Sequence, residues 1–401
     1  MNYSNILNKQ KSFFLTGTTR SITFRKNILL KLQQLIADNE SLFYEAIYQD
    51  FHKSKFDTYT TEISIIYAEI KYLIKHLNKL TKPQRRPINL ANIPGRFRIL
   101  REPLGNTLII GAWNYPYQLT LLPAIDAIAA GNTCIIKPSE LPINTMNLIA
   151  NLINNNFDSQ LLYVATGGID TTTELLQLHY DKIFFTGSPH VGNIVYQAAA
   201  RTLTPITLEL GGKSPVIVTP NTNIDIAAKR IVWGKFLNAG QTCVAPDYLY
   251  VEKSIAPNLI DAIKKYIIIN EYAENSQQYV SIINQRNFER ILQLIDPSKL
   301  NFGGKSNPET RYIEPTLLIN VTWDDPVMQQ EIFGPILPIL IYTEFNQVIN
   351  EIQQHPKPLA AYLFSNDKAE QQYFLNTISA GGVCINDVMM HLSSPPFRLV
   401  A

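Results

Sequence analysis

The chain has 401 residues, with 35 Lys and Arg against 33 Asp and Glu, and 46% of its residues are hydrophobic. Domains of about 100–200 residues predict two or three domains, and a composition near the globular average excludes a disordered chain. A net charge of +2 excludes a histone-like basic protein and an acidic solvating tail. Three cysteines are too few for a disulfide framework and favour a reducing compartment. Without a signal-peptide pattern or an uninterrupted run of about 20 apolar residues, a soluble, cytoplasmic protein is expected.

The first 80 residues are predicted to be helical. Apolar residues recur there at steps of three and four, at Ile63, Ile66, Ile70, Leu73, Leu77 and Leu80. Three prolines then break regular structure, which predicts an arm over residues 82–103. Nine basic residues and no acidic one lie between Lys71 and Arg101. A nucleic-acid partner would suit this charge, but no supporting motif accompanies it, so a solvated helix face and an exposed arm are favoured.

From Leu104 onward, short apolar runs alternate with helical segments. The predicted strands are 108–112, 133–137, 161–165, 182–186 and 207–210. This alternation is typical of βαβ units in a doubly wound parallel sheet, where ligands bind beyond the carboxyl ends of the strands. Polar motifs follow three of these strands: WNYP (113–116), KPSE (137–140) and TGS (186–188).

A second α/β pattern begins near Gly211 and Gly212, where we place a domain boundary. Its predicted helices span 226–236 and 257–269. Its predicted strands are 215–218, 248–251, 336–341, 360–364 and 382–385. The sequence therefore predicts two α/β domains.

Two features of the first α/β pattern suit a dinucleotide, and each has an ordinary alternative. The turn from Gly187 to Gly192 opens a helix, so its backbone N–H groups could bind a pyrophosphate, although glycine before a helix is also common. Lys137 and Glu140 could hold a ribose, or they could form an ordinary surface ion pair. Spacing alone leaves both questions open.

The cysteines and one glutamate are the candidates for chemistry. Cys134 and Cys384 lie in strand-like apolar runs, which indicates core residues. Cys243 lies in a polar, glycine-containing turn, where a nucleophile is one open interpretation, and no metal-ligand spacing accompanies it. Glu209 stands between two leucines at a strand end. Desolvation there would raise its pKa and suit it to general-base work, while an ion pair with Lys213 is the alternative.

Six motifs in chain order together resemble the NAD(P)-dependent aldehyde dehydrogenase superfamily. They are WNYP (113–116), KPSE (137–140), FFTGS (184–188), LELGGKSP (208–215), GQTCVAP (240–246) and EIFGP (331–335). GQTCVAPDY and GGVCINDVMMH are similar to the class 3 or fatty-aldehyde branch. The resemblance implies an α/β fold with two doubly wound domains and a small bridging arm. Its divisions would be a dinucleotide-binding domain at 1–81 and 104–210, the arm at 82–103, a catalytic domain at 211–391, and a divergent or truncated tail at 392–401.

The same resemblance implies oxidation of an aldehyde to a carboxylic acid through a cysteine thiohemiacetal and a thioester. Cys243 would attack the aldehyde carbon, and Glu209 would activate water to release the acid. The Asn114 amide and the backbone N–H of Cys243 would hold the oxyanion. The cofactor would be NAD, with NADP possible, and no metal is expected. The residues that the resemblance assigns to the cofactor are Trp113, Lys137, Glu140, Gly187, Ser188, Gly192, Glu331 and Phe333.

The resemblance also bears on partners and completeness. A bridging arm implies a homodimer that acts on a small-molecule aldehyde, with no nucleic-acid partner and no membrane span. The family pattern continues for several dozen residues beyond Phe397, so the chain reads as truncated. One alternative is therefore a catalytically impaired homologue that binds only the dinucleotide. Another is a variant that passes the acyl group to coenzyme A, which a base at Glu209 argues against.

Overall fold

The computed structural model describes residues 2–274 and 276–392, so all of the predicted tail except Leu392 lies outside the described residues. The chain divides into two compact units. The first takes in the described parts of 1–46, 56–186 and 190–208, and the second those of 47–55, 187–189 and 209–401. Within the described ranges, no helix combines the length and the apolar character that crossing a membrane requires.

Nine α-helices are described up to residue 200. They are α1 (Tyr3–Leu15), α2 (Ile22–Asp38), α3 (Glu40–Phe51), α4 (Lys55–Thr58), α5 (Ser64–Leu80), α6 (Gln118–Ala130), α7 (Ile143–Asn156), α8 (Ile169–Leu176) and α9 (Pro189–Ala200). The apolar stripe of α5 is buried as the three- and four-residue spacing predicts, at Ile66, Ile70, Leu73 and Leu77. A single π-helical turn, Tyr59–Ile63, joins α4 to α5. This wider turn places both Glu62 and Ile63 in the interior.

The strands of this part form an arm and a five-stranded sheet. They are β1 (Gln84–Arg86), β2 (Phe97–Ile99), β3 (Asn106–Ile110), β4 (Thr133–Lys137), β5 (Leu162–Val164), β6 (Lys182–Thr186) and β7 (Ile206–Glu209). β1 and β2 pair antiparallel and are exposed along their length. The sheet order is β5-β4-β3-β6-β7, with parallel pairing of β3 with β4 and β6 and of β4 with β5. The winding direction therefore reverses between β3 and β6, as in a doubly wound sheet.

The second unit contains the remaining strands. They are β8 (Pro215–Val218), β9 (Tyr248–Glu252), β10 (Leu300–Phe302), β11 (Ser306–Asn307), β12 (Tyr312–Ile313), β13 (Thr316–Leu318), β14 (Ile336–Tyr342), β15 (Ala360–Phe364) and β16 (Gly382–Ile385). A seven-stranded sheet has the order β10-β13-β14-β9-β8-β15-β16, and only its edge strand β10 pairs antiparallel. Its helices are α10 (Ile224–Phe236), α11 (Ala256–Ile269), α12 (Gln285–Leu292), α13 (Pro326–Gln329), α14 (Phe345–Gln353) and α15 (Lys368–Thr377). The predicted α/β class with two doubly wound sheets is confirmed.

Candidate active site

Cys243 follows a backbone turn of uncommon geometry. Asn238, Ala239 and Gly240 have φ angles of 55°, 52° and 72°, so three consecutive residues occupy the left-handed region that L side chains rarely adopt. The chain then reverses over a turn in which the N–H of Ala245 donates to the carbonyl of Thr242 (3.0 Å). This reversal leaves the Cys243 side chain half-buried, whereas Cys134 and Cys384 are buried. Of the three cysteines, Cys243 is the accessible one.

Gln241 holds this turn from inside the protein. Its side chain is fully buried, and its Nε2 donates to the carbonyls of Asn238 (3.1 Å) and Ser281 (3.2 Å). Its Oε1 accepts from the N–H of Ile283 (3.0 Å). Three buried hydrogen bonds therefore fix the loop just ahead of Cys243, which supports the left-handed conformation.

The segment 330–334 lies against the same loop. A Cβ placed on Gly240 would come within 2.3 Å of the carbonyl oxygen of Gly334, so only glycine fits this close approach. Asp247 holds the segment by accepting from the N–H of Ile332 (2.9 Å). Lys213 donates to the same carboxylate and to the carbonyl of Gln330 (2.9 Å). The ion pair of Lys213 is thus with Asp247, which removes the sequence-based alternative that it neutralises Glu209.

Glu331 points toward the backbone of Gly211 and Gly212. A Cβ on Gly211 would lie 2.2 Å from Glu331 Oε2, so this glycine makes room for the carboxyl group. Burial and the Asp247 carboxylate raise the pKa of Glu331 to about 8, although a hydrogen bond from Gly212 opposes the shift. Glu331 Oε1 is buried, and no donor among the described residues reaches it. A ligand hydroxyl would satisfy this acceptor.

Glu209 ends β7 and is half-buried. Burial raises the pKa of Glu209 to about 7, as the leucines on either side of it predict. Its backbone carbonyl accepts from the N–H of Gly187 (3.0 Å). A carboxyl group that titrates near neutrality suits general-base chemistry.

The carboxyl groups of Glu331 and Glu209 both affect the pKa of the Cys243 thiol. Burial raises the pKa of Cys243 to about 12, and the charges of Glu331 and Glu209 contribute to that rise. The structure thus brings three of the sequence-predicted site residues into one electrostatic environment. Because its pKa is raised, the thiol needs a positive charge or a base to become a nucleophile.

The three segments of this site share one edge of the seven-stranded sheet. Residues 209–214, 243–247 and 331–335 come directly before the parallel strands β8, β9 and β14. Their side chains therefore meet at the amino ends of the strands. The expectation that ligands lie beyond the carboxyl ends applies to the motifs of the first unit and not to this site.

In the first unit, Lys137 and Glu140 form a pair after β4. Lys137 is 2% exposed, and its Nζ donates to the carbonyl of Pro138 (2.6 Å) and to Glu140 Oε2 (3.3 Å). Burial lowers the pKa of Lys137, against the opposing effect of Glu140. An ordinary surface ion pair would leave both groups in water, so this pair is of a different kind.

The remaining predicted site residues follow β3, β6 and the loop before β14. Asn114 is buried and Trp113 half-buried in the loop after β3. Ser188 is exposed and Gly187 half-buried after β6, whereas Gly192 is buried within α9. Phe333 is half-buried and has a φ angle of 49°. Asn114 belongs to the first unit and Cys243 to the second.

Sequence reasoning missed three polar residues that shape the site. Gln241 and Asp247 flank Cys243 within the GQTCVAPD segment, and their motif position was the available signal. Lys235, in the last turn of α10, is fully buried, and burial lowers the pKa of Lys235 to about 8. A lysine inside an apolar helix segment was a signal for an interior charge.

Comparisons with known proteins agree with this fold. The Aldehyde dehydrogenase family profile matches residues 6–398. The 4,4'-diaponeurosporen-aldehyde dehydrogenase of Staphylococcus aureus is 49% identical over 390 residues, covering 96% of this chain and 85% of the relative. A dimeric NADP-preferring aldehyde dehydrogenase of Canis lupus familiaris is 42% identical over 393 residues, covering 97% of this chain and 86% of the relative. The substrate-bound structure of Staphylococcus aureus AldH has a TM-score of 0.97 at 46% identity, covering 100% of this chain and 88% of that structure.

The two doubly wound α/β units match the fold of the aldehyde dehydrogenases, which are oxidoreductases. The chain belongs to the aldehyde dehydrogenase family. It is an enzyme that oxidises an aldehyde to a carboxylic acid with NAD(P)+. Neither a remnant that only binds the dinucleotide nor a coenzyme A-acylating variant is favoured, because the relatives are named as aldehyde dehydrogenases.

Proposed function

We propose that Cys243 is the nucleophile of this oxidation and that Glu209 is the base of its second half. The observation that carries the proposal is the shared environment of the two groups, in which the Glu209 charge raises the pKa of the Cys243 thiol. The thiolate attacks the aldehyde carbon and forms a thiohemiacetal. NAD(P)+, when bound, would supply the hydride acceptor and a positive charge that offsets the two carboxylates and favours the thiolate.

The oxyanion of the thiohemiacetal needs hydrogen-bond donors. We assign this role to the Asn114 side-chain amide and to the backbone N–H of Cys243. Asn114 is 2% exposed, so the amide is held within the protein before substrate arrives. A preorganised donor of this kind typically stabilises the transition state by about 3–4 kcal/mol.

Loss of hydride leaves an acyl thioester on Cys243, and hydrolysis completes the reaction. Glu209 removes a proton from water, which attacks the thioester carbon and expels the Cys243 thiolate. A base with a pKa near 7 is largely ionised at neutral pH and still basic enough to accept this proton. The product is the carboxylic acid.

Two of the residues that we propose for cofactor binding have polar groups available for a dinucleotide. Glu331 Oε1 is a buried acceptor that no described donor reaches, which suits a ribose hydroxyl. Lys137 Nζ makes two hydrogen bonds, so one N–H remains for a second ribose beside Glu140. We propose the remaining contacts at Trp113, Gly187, Ser188, Gly192 and Phe333. NAD is the first choice because the Glu140 carboxylate accepts from hydroxyls and repels a phosphate, while Lys137 would attract one and keeps NADP open.

We propose medium- to long-chain or aromatic aldehydes as substrates. One relative supports an apolar substrate, because it is named for 4,4'-diaponeurosporen aldehyde. Rates with hexanal, decanal and benzaldehyde, followed by NADH absorbance, would rank these classes. Equal or higher rates with short polar aldehydes would contradict the proposal.

The proposed organisation is a cofactor domain at 1–81 and 104–210, an arm at 82–103 and a catalytic domain from 211 to 391. We further propose a homodimer in which a second copy covers the arm. Leu90 is 88% and Leu100 62% exposed there, and apolar surface of this kind is typical of an interface. One relative is named as dimeric. Three free cysteines suit a reducing, cytoplasmic setting.

Purified protein with NAD+ and hexanal tests the chemical roles. Cys243→Ala is expected to abolish NADH formation, because no thioester can form. Glu209→Gln is expected to give a burst of NADH and then stall, since hydride transfer precedes the step that needs the base. Unchanged turnover in either variant would refute the corresponding role.

A further inference from the structure

We propose that Glu62 is a positioning residue for Asn114, and this inference rests on the oxyanion role proposed for Asn114. Glu62 lies far from the motif in sequence, and nothing in the GQTC or WNYP patterns points to it. Its side chain is fully buried. Buried carboxyl groups require hydrogen-bond donors, so the identity of those donors indicates what the group does.

Two of the donors to Glu62 are backbone N–H groups at the start of α6. Glu62 Oε2 accepts from the N–H of Tyr117 (2.8 Å) and from the N–H of Gln118 (3.3 Å). The first N–H groups of a helix have no partner within the helix, and the N-cap side chain of α6 makes no capping hydrogen bond. Glu62 therefore caps α6 from another helical segment, and a carboxyl group is favourable at this end of the helix dipole.

The π-helical turn Tyr59–Ile63 is what brings the carboxyl group there. Glu62 and the next residue, Ile63, are both fully buried in this turn. Single π-turns cost regular hydrogen bonding and occur frequently at functional sites. Here the π-helical turn carries Glu62, whose carboxyl group contacts the first turn of α6.

Asn114 lies in a short loop that is fixed at both ends. At one end, the N–H of Gly111 donates to the carbonyl of Lys137 (3.0 Å), and a Cβ on Gly111 would lie 2.2 Å from Thr120 Oγ1. At the other end, Glu62 holds the N–H groups of Tyr117 and Gln118. Only a few residues separate Asn114 from either anchor. The direction of the Asn114 amide therefore depends on the anchor that Glu62 supplies.

Glu62→Ala removes this anchor without touching Asn114. Displacement of a reacting group by about 1 Å can cost about 100-fold in rate, so we expect kcat to fall about 10- to 100-fold. Because the oxyanion forms only after both substrates are bound, the Kd for NAD+, measured by protein fluorescence, should stay within about twofold. Loss of NAD+ binding in parallel with kcat would indicate general disruption and would overturn the proposal.

A double-mutant cycle with Asn114→Ala separates positioning from stability. If Glu62 acts through Asn114, adding Glu62→Ala to Asn114→Ala should change kcat by no more than about twofold. A full second loss in the double variant would overturn the inference. If Asn114→Ala alone keeps wild-type kcat, the proposed oxyanion role is the part that fails.

Glu62→Gln covers the case in which the alanine variant does not fold. It is isosteric and keeps one acceptor oxygen for the two backbone donors, but a neutral amide is a weaker acceptor at the start of α6 than a carboxylate. We expect a several-fold loss of kcat that again disappears in the Asn114→Ala background. A folded Glu62→Gln enzyme with wild-type kcat would overturn the proposal.

Glu40→Gln is the matched control. The Glu40 carboxyl group also ties α3 to α5, accepting from the hydroxyls of Tyr44 (2.8 Å) and Tyr67 (2.6 Å). These contacts involve α5, the helix that follows the Glu62 turn, and do not include the loop 111–118. Glu40→Gln should therefore lower the unfolding temperature and leave kcat within about twofold of wild type. A loss of kcat as large as that of Glu62→Gln would show that general helix stability, and not loop positioning, is responsible.

Discussion

Two carboxyl groups near Cys243 titrate close to neutral pH for the same physical reason. Burial raises the pKa of Glu209 to about 7 and the pKa of Glu331 to about 8. Because the charged form of each is disfavoured in the fold, protonation changes both chemistry and stability in the range where the enzyme works. The two effects can be measured separately.

Glu209 predicts the pH dependence of turnover. The base is active only when ionised, so kcat limited by deacylation should rise with pH through about 7 and level off above it. Steady-state kcat, measured from about pH 5.5 to about pH 9 in steps of about half a pH unit, tests this expectation. A profile that is flat across pH 7, or an inflection that persists in the residual rate of Glu209→Gln, would contradict the assignment.

The raised pKa of Glu331 predicts that the stability of the folded protein depends on pH. Its pKa is raised in the fold, so the folded state binds more protons than the unfolded state between the ordinary carboxyl range and about 8. The stability contribution is therefore fully present at acid pH and is lost as pH rises through about 8. Glu331→Gln removes this dependence.

Thermal unfolding at about pH 5 and about pH 9 measures the pH-dependent stability contribution of Glu331. The unfolding temperature of Glu331→Gln minus that of the wild type should be larger at pH 9, where the wild type holds a buried charge. Glu289→Gln on the exposed side of α12 is a suitable control and should show little difference at either pH. An equal difference for Glu331→Gln at both values would mean that burial does not control this carboxyl group.

At the scale of elements, the loop before Cys243 depends on Gln241. Gln241→Ala leaves buried carbonyl and N–H groups without partners, and we expect a loss of about 2–4 kcal/mol in unfolding free energy. Urea denaturation measures the loss, and kcat should fall with it because Cys243 follows directly. Gln372→Ala, on the exposed face of α15, is the control and should be near neutral. A neutral Gln241→Ala would show that the left-handed run is stable without its hydrogen bonds.

Only some of the helices and strands could be predicted from the sequence. Apolar spacing located α5 and the strands β8, β15 and β16, because burial on one face or on both leaves a periodic or continuous pattern. It did not locate the short antiparallel strand β10 or the π-turn at Tyr59–Ile63, because a few residues carry too little pattern and one extra residue in a turn leaves the composition unchanged.

The site could be predicted only in part, because local sequence patterns report only on neighbouring residues. Desolvation of Glu209 follows from its neighbours in sequence, and the structure confirms the raised pKa. The Glu331 acceptor, in contrast, depends on the close approach of Gly211, which lies over a hundred residues away in the chain. The roles of Asn114 and of the cofactor residues stay predictions. Contacts between distant segments are what local patterns do not encode.

At the scale of the whole molecule, the arm determines the proposed assembly. A charge in an apolar interface is costly, so Leu90→Asp combined with Phe97→Asp should convert a dimer to a monomer. Light scattering after gel filtration measures the mass. Lys82→Asp, a charge change at the base of the arm, controls for charge alone and should leave the mass unchanged. A double variant that keeps the wild-type mass would place the interface elsewhere.

The π-turn at Tyr59–Ile63 sets an unusual constraint on chain length. Deleting one residue there would let α4 and α5 join as a regular α-helix, which improves backbone hydrogen bonding locally. The deletion would also change which of the residues 59–63 face inward, so we expect the Glu62 carboxyl group to lose its contacts with the N–H groups of Tyr117 and Gln118. The deletion variant would then have a more regular helix but a lower kcat. Gene variants that lose a single codon in this segment should be rarer among functional sequences than substitutions at the same positions.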